Sequence, residues 1–478
     1  MSTPPQKRMI YTRSFGALAA LPFLFLPFLL PMIGAKPPNV ILILADDLGI
    51  GGLGSYGSDW LETPRIDQLG REGMKFTHGL SPYPTCQPSR AAILSGQYGP
   101  RTGAYRVSQH HLGNEHLIKY QVPPKRNLDH EKITLAESFQ RAGYTTAMYG
   151  KWHVSNYGDG HPHYHGFDEA IAGTGHYQVK SVPEIDLPEG VSAAEFFTDK
   201  ARDFIKNAHA KNQPFFLYMP YYLVHRPLEA KAAYVAHFRE KMKDFESKHP
   251  DPDEVPVIAA MHKMLDDAVG ALLDEVSALG IEEDTVIVFT SDNGAYSFDY
   301  TGETRGRKGD TYDGGLRVPY IFKWPGEIPA GSVSAERITG VDLYPTLLGI
   351  SGVDNPNFYV LDGVDISSLL RGELTSLSDR AVFCYYPKYA QYREETKRWI
   401  YSWRNVIYKG DYKLIEYPEY DEIELFHLGR DPLESENLTE KFPSKREELM
   451  RELHDWLEKI EAPKLQLNPD YILGSDRS

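Results

Sequence analysis

The apolar residues of this chain gather into short unbroken runs that end in charged or polar groups. "NVILILADDLG", Asn39 to Gly49, has the length of a strand and stops at two aspartates. "YTTAMYGKWH" runs from Tyr144 into Lys151 and His153, and "PFFLYMPYYLVH" ends at His225. "TVIVFTSDNG" ends at Asp292 and Asn293, and "LRVPYIFKWPG" follows from Leu316. Runs that are apolar on both faces suit central strands of a covered sheet. Between them lie helical signals. Thr134 with Glu137, and Ser192 with Glu195, form capping boxes ahead of amphipathic stretches. A longer amphipathic helix is expected from Pro256 to Leu279, stopped by Gly280. Strand and helix alternation predicts an α/β fold with a central, mostly parallel sheet flanked by helices. Ligands of such sheets collect outside the carboxyl ends of the strands, which is where the polar residues fall. Lys151 and His153, two apart at a strand end, are expected to point the same way.

The texture changes near Gly372. "AVFCYYP", "NVIYKGDYKLIEY" and "DEIELFHL" are strand-like runs parted by turn residues. A helix is expected from Ser444, capped by Glu447, with Leu449, Leu453, Trp456, Leu457 and Ile460 on one face. This predicts a small C-terminal α+β domain, an antiparallel sheet with one helix on it. The N-terminus is a separate object. Lys7, Arg8 and Arg13 lead into "FGALAALPFLFLPFLLPMIGA", a basic head, an apolar middle and a small-residue end. That is the pattern of a cleaved secretory signal. The competing reading, a retained membrane anchor, is weakened by Pro22, Pro27 and Pro31. The expected organisation is a signal peptide over 1–35, a large catalytic domain over 36–372 and a C-terminal subdomain over 373–478. The mature protein is then exported, periplasmic or secreted, with no stable membrane insertion.

Composition changes this picture in two places. A net charge of −15 over 478 residues argues against a nucleic-acid partner. It also means that a site for an anion must gather its own cations. Only two cysteines are present, Cys86 and Cys384, so an exported chain has no disulfide framework. The pairs Asp46-Asp47 and Asp292-Asn293 each end an apolar strand. Carboxylates buried there repel one another unless a cation compensates. Four oxygen donors without clustered His or Cys suit a hard cation, Ca²⁺ or Mg²⁺, rather than zinc. Ordinary loop caps and turns are the alternative. Lys151, His153, His225 and Lys308 could build an anion pocket beside such a metal, although spacing does not show that they converge. Lys308 lies in the glycine-rich "GRKGDTYDGGLRVP", where backbone can approach a ligand closely. Cys86 opens an expected helix in "TCQPSRAAILSGQYGPRTG". By itself it is open to three readings: a buried thiol, half of a disulfide to Cys384, or a nucleophile.

"CQPSR" matches the sulfatase signature C-x-P-S-R, and "AAILSGQYGPRTG" resembles its continuation. "NVILILADDLG", "GYTTAMYGKWH", "HGFDEA", "PFFLYMPYYLVH", "SDNG", "GRKGDTYDGGLRVP" and "ELFHLGRDPLESENL" are similar to the other motifs of that family, in the family's order. The resemblance covers nearly all of the mature chain. It implies the alkaline-phosphatase-like α/β sandwich with a small C-terminal domain. It also implies a sulfuric ester hydrolase whose Cys86 is oxidised to formylglycine by a separate maturation enzyme. A disulfide through Cys86 would abolish that role. By position, Asp46, Asp47, Asp292 and Asn293 resemble the ligands of one calcium ion, preferred over magnesium, with modified Cys86 completing the shell. Arg90 resembles the arginine that holds the formylglycine hydrate, and Lys151 and Lys308 the lysines that clamp sulfate. His153 resembles the histidine beside the formylglycine, and His225 the one near the leaving oxygen.

Such a set suits a sulfate ester for a physical reason. The three sulfate oxygens share a negative charge that must be neutralised before an oxygen nucleophile can near sulfur. An aldehyde hydrate carries two hydroxyls on one carbon. The first attacks sulfur while His225 or a lysine protonates the departing alcohol. The second, deprotonated by His153, expels sulfate and restores the aldehyde. The chain departs from the family in places. The common K-G-T-T-Y-E-G-G reads K-G-D-T-Y-D-G-G, and Asp310 would temper the charge of Lys308. The common Y-P-H-Y reads "YPKY", and Lys388 would alter which sulfated sugar is accepted. His176 is a candidate for a further sulfate contact. The expected substrate is a sulfated saccharide or another sulfate ester. A phosphonate monoester or phosphodiester hydrolase is the alternative on the same fold, and a non-catalytic binding protein is a third reading.

Overall fold

All five apolar runs become strands of one nine-stranded sheet. Its spatial order is Ser332–Thr339, Met74–Leu80, Tyr320–Lys323, Thr285–Ser291, Asn39–Ala45, Phe215–Pro220, Thr145–Gly150, Glu169–Thr174 and Lys180–Val182. The computed structural model describes residues 36–472 apart from 106, 108–112, 124, 126 and 248, together with 1, 2 and 9. The expected signal peptide thus lies outside the described residues, save for those three positions. No helix among the described residues is long and apolar enough to cross a membrane.

Asn39–Ala45 sits at the centre of the sheet, parallel to both neighbours and buried along its whole length. Only Tyr320–Lys323 and Lys180–Val182 run against the rest. Alternate residues of the central strand enter opposite layers. Ile41 and Ile43 pack with the helices Ala193–Ala210 and Val255–Ala278. Val40, Leu42 and Leu44 pack with Cys86–Ser95, Leu135–Arg141 and Leu343–Ser351. A strand covered on both faces needs no polar alternation, which is why these runs are continuous. The product is the α/β fold that the pattern predicts, a mostly parallel sheet flanked by helices.

Both capping boxes form, Thr134 with Glu137 and Ser192 with Glu195. The long helix ends at Ala278, and Gly280 adopts the left-handed φ of +65° expected just past a helix end. The C-terminal part is a four-stranded antiparallel sheet of Ala381–Tyr386, Arg404–Lys409, Tyr412–Tyr417 and Glu422–His427. The helix Pro443–Lys459 packs on it through Leu449 and Leu453. One expectation fails here. Pro443 opens this helix, so Ser444 lies inside the first turn and no side-chain cap forms. Proline lacks the N–H that a cap would satisfy and presets the helical φ, so it starts the helix unaided.

Candidate active site

The helix Cys86–Ser95 places its N-terminus beneath the carboxyl end of the central strand, and every one of its residues is buried. Pro88 falls in the first turn, where a missing N–H costs nothing. Ser89 Oγ accepts from Tyr83 N at 3.2 Å and donates to Tyr83 O at 2.8 Å, tying the entering chain to the helix. One turn in from Cys86, Arg90 donates from Nε to Asp292 Oδ2 at 2.7 Å and from its terminal nitrogen to Lys151 O at 2.7 Å. Pro88, Ser89 and Arg90 of the "C-x-P-S-R" pattern thus each have a physical cause. Cys86 and Cys384 are both buried and free, so no disulfide joins them.

Around Cys86 stand the strand-end groups. The thiol donates to Asp46 Oδ1 at 3.5 Å and lies 3.9 Å from Asp47 Oδ1. Lys151 Nζ donates to Asp46 Oδ2 at 2.5 Å, and Lys308 Nζ lies 2.7 Å from Asp47 Oδ1. His225 Nε2 lies 3.9 Å from Asp47 Oδ2, while its Nδ1 donates to Arg226 O at 2.6 Å. Three buried carboxylates, Asp46, Asp47 and Asp292, thus face three cations, Arg90, Lys151 and Lys308. Burial raises the Asp292 carboxyl to about 7, helped by Asp46 beside it. Burial would raise Asp46 as well, but Lys151 and the cations behind it hold it well below the ordinary carboxylate range. Lys151 and Lys308 stay charged. Burial alone would lower both, and Asp46 and Asp47 respectively outweigh it. Burial drives the Cys86 thiol far above its ordinary value. A plain thiolate is thus strongly disfavoured at neutral pH, as suits a structural thiol or a precursor more than a working cysteine.

His153 is held near the same charges, but not by strand alternation. The strand ends at Gly150, and His153 takes a left-handed φ of 52°. Burial, then Lys151 and Arg90, lowers its pKa to about 3, so its imidazole is neutral at ordinary pH. His176 makes a different contact from the one expected. Its Nε2 donates to the backbone carbonyl of His225 at 2.8 Å, fixing the loop that carries His225. Asp310 likewise turns from Lys308 toward Arg404, at 3.4 Å, and accepts from Arg307 N. Lys388 Nζ lies 5.7 Å from the Tyr401 ring centroid, and Tyr401 packs on Gly309, next to Lys308.

The residues also fit a hard cation. Asp46, Asp47, Asp292 and Asn293 are fully buried. Asn293 donates from Nδ2 to Asp47 Oδ1 at 2.8 Å, leaving its Oδ1 buried with no partner. An orphaned carbonyl oxygen beside crowded carboxylates is the donor chemistry that calcium or magnesium takes. The ligand atoms of Asp46, Asp47, Cys86 and His225 lie within 4.8 Å of one another. Asp292 stands one step back, held by Arg90 and by Asp47 N. Sequence reasoning misses Tyr222. Its ring lies 5.2 Å from Lys151 Nζ and 4.9 Å from the His225 ring, and its hydroxyl donates to Arg226 O. The only local signal is an aromatic pair just past a strand end.

The chain matches the family model described as Sulfatase over residues 38–353, and that described as N-sulphoglucosamine sulphohydrolase, C-terminal, over 307–463. It is 32% identical to N-acetylgalactosamine-6-sulfatase of Mus musculus, covering 90% of this chain and 85% of that protein. It is 31% identical to a sulfatase of Formosa agariphila, with 90% of each covered, and 32% identical to arylsulfatase A of Homo sapiens, with 79% and 75% covered. Among solved structures, Ps i-CgsB in complex with k-i-k-neocarrahexaose superposes with a TM-score of 0.74 at 25% identity, covering 88% of this chain and 93% of that one. Phosphonate monoester hydrolase of Agrobacterium radiobacter shares the fold at 18% identity and a TM-score of 0.65, covering 88% of this chain and 96% of that one.

Proposed function

The chain belongs to the sulfatase family and is a sulfuric ester hydrolase, and from that premise we propose that it removes sulfate from a sulfated carbohydrate. Residue 86, matured from cysteine to formylglycine, is the nucleophile in this reading, and Sγ marks where the hydrate oxygens would stand. Arg90 orients that group from one helical turn away. Lys151 and Lys308 bind the sulfate oxygens. Neutral His153 takes a proton from residue 86, and His225, whose Nε2 lies toward Asp47, gives one to the leaving alcohol. Asp46, Asp47, Asp292 and Asn293 are the residues that would hold calcium beside residue 86, where it would supply positive charge against the ester oxygens. The observation that carries this reading is the meeting of Asp46 and Asp47 with Cys86, Lys151 and Lys308, from four separated stretches, within direct contact of one another.

In the same reading residues 1–35 are a signal cleaved on export, 36–372 form the catalytic domain and 373–478 the C-terminal subdomain. Maturation requires the formylglycine-generating enzyme as a transient partner. Lys388 reaches the sugar from the C-terminal side. The first substrates to try come from the relatives: 6-O-sulfated N-acetylgalactosamine and the k-i-k-neocarrahexaose bound by Ps i-CgsB. Protein made together with the maturation enzyme is expected to release free sulfate from a defined sulfated saccharide. Turnover of phosphonate monoesters or phosphodiesters in the same sample, with no sulfate release from any sulfated saccharide, would move the substrate class to phosphorus.

A further inference from the structure

The loop that carries Lys308 is gripped by the C-terminal sheet through charges that water does not reach. Asp313, five residues after Lys308, is buried, and its Oδ1 accepts from Lys413 Nζ at 3.0 Å and from Tyr408 OH at 2.9 Å. Lys413 Nζ also lies 2.5 Å from Glu434 Oε1. Glu434 Oε2 accepts from Asp313 N at 2.7 Å, and the Glu434 backbone carbonyl accepts from Arg305 at 2.6 Å. The side chains of Lys413 and Glu434 are wholly buried. At the other end of the loop Arg404 reaches Asp310 Oδ1 and Thr311 Oγ1, both at 3.4 Å. Lys308 is thus bracketed by pins on Arg305, Asp310, Thr311 and Asp313, all set by the C-terminal sheet and the loop after it.

Two features make this more than packing. Buried ion groups are expensive to desolvate, and apolar residues of like volume commonly stabilise a fold as well or better. A polar grip earns its place where it fixes register. The loop also needs fixing. Gly314 folds so tightly on it that a Cβ there would lie 2.1 Å from Gly306 O, and one on Gly315 would lie 2.0 Å from Asp310 O. Apart from Lys308, whose tip lies against Asp47, the loop is tied to the large sheet's side mainly by backbone bonds, Lys308 N to Ala295 O, Gly309 N to Pro84 O and Gly294 N to Gly315 O. Neutralising one member of the trio would loosen the loop without touching the sulfate site itself.

We propose that Lys413 and Glu434 are positioning residues that hold Lys308 in its sulfate-binding place, so that the C-terminal sheet is a working part of the active site. The inference rests on Lys308 contacting sulfate, as in the function proposed above. Glu434→Gln keeps shape and removes charge, and Tyr408→Phe removes only one hydroxyl should the first variant fold poorly. Two readouts apply to each. Hydrogen exchange in the peptide spanning 305–316 is expected to quicken while the helix Val255–Ala278 keeps its protection. The ratio kcat/KM for a sulfate ester is expected to fall by about tenfold or more, since small misplacements of a charged contact are costly. In a Lys308→Ala background the same substitution is expected to change kcat/KM by less than about twofold, because coupled residues are not additive. Equal losses in both backgrounds, or unchanged exchange at 305–316, would overturn the proposal. If wild-type protein hydrolyses no sulfate ester, the functional reading fails on its own. If Lys308→Ala leaves no turnover to compare, or wild type has none, the exchange measurement decides.

Discussion

At the scale of single residues, the site is a balance of three buried carboxylates against three cations. Each carboxylate meets a cation from a distant part of the chain, with one exception among the oxygens beside them, Asn293 Oδ1, which has no partner. That exception makes a prediction about metal. Protein stripped with a chelator is expected to gain melting temperature on adding Ca²⁺, and a ligand at a hundredfold over its Kd stabilises by about 2.7 kcal/mol. Asn293→Ala is expected to weaken calcium binding by about tenfold or more, read by titration of the melting shift. An unchanged shift in the variant would remove Asn293 from the ligand set. Cys86 gives a second prediction. Cys86→Ala is expected to be inactive. Cys86→Ser offers one hydroxyl and no second to expel sulfate, so it is expected to keep a sulfo group on residue 86, seen in the intact mass after exposure to substrate. Full turnover by Cys86→Ala would refute the nucleophile assignment.

At the scale of elements, local rules explain much and fail where distant residues take over. The helix Pro64–Glu72 shows this. Its N-cap, Thr63, makes no capping bond to the helix. The cap comes instead from Asp266 of the long helix, whose Oδ1 accepts from Arg65 N at 2.9 Å and Ile66 N at 2.8 Å. Burial pushes the Asp266 carboxyl up to about 7 despite those bonds, and its Oδ2 has no partner. The folded state therefore binds this proton more tightly than the unfolded chain does. The stability contributed by Asp266 is fullest below about pH 4, falls as the pH rises to about 7 and is flat above. Asp266→Asn keeps the accepting oxygen and removes the titration. The stability difference, variant minus wild type, is expected to grow by on the order of 2–4 kcal/mol from pH 4 to pH 8, measured by urea unfolding. Parallel curves would sink the assignment. The same division governs what the sequence discloses. Strands covered on both faces, such as Asn39–Ala45, announce themselves by unbroken apolar runs. Ser332–Thr339 lies at the sheet edge with exposed positions alternating through it, so no run marks it. Asp46, Asp47, Asp292 and Asn293 are legible because polar groups at the ends of core strands have few other reasons to be there. The left-handed turn at His153 and the contact of Tyr222 with Lys151 are set by packing across the sheet, and nothing nearby in sequence encodes them.

At the scale of the whole molecule, the question is whether the large sheet could work without the C-terminal sheet. Every candidate catalytic and metal-binding residue precedes Gly372, so a truncated chain would keep all of them. The cores argue against it. Leu80, Tyr83, Ala92 and Tyr98, which flank and form the Cys86 helix, share one apolar cluster with Val382, Cys384, Tyr386, Val406 and Tyr408 of the C-terminal sheet. Each large side chain stripped of that cover forfeits about 1.5–3 kcal/mol. Several together approach 10 kcal/mol, on the order of the whole stability of a domain. From Pro37 onward the chain correspondingly forms one compact unit. Residues 36–372 produced alone are therefore expected to aggregate and to release no sulfate, whereas the chain from 36 to its end folds and turns over. Supplying 373–478 as a separate piece during refolding is expected to restore part of the activity, by covering the shared apolar cluster again. A soluble, monomeric 36–372 fragment with wild-type turnover would break this argument at both levels, showing that neither the shared core nor the grip on the Lys308 loop is needed for catalysis.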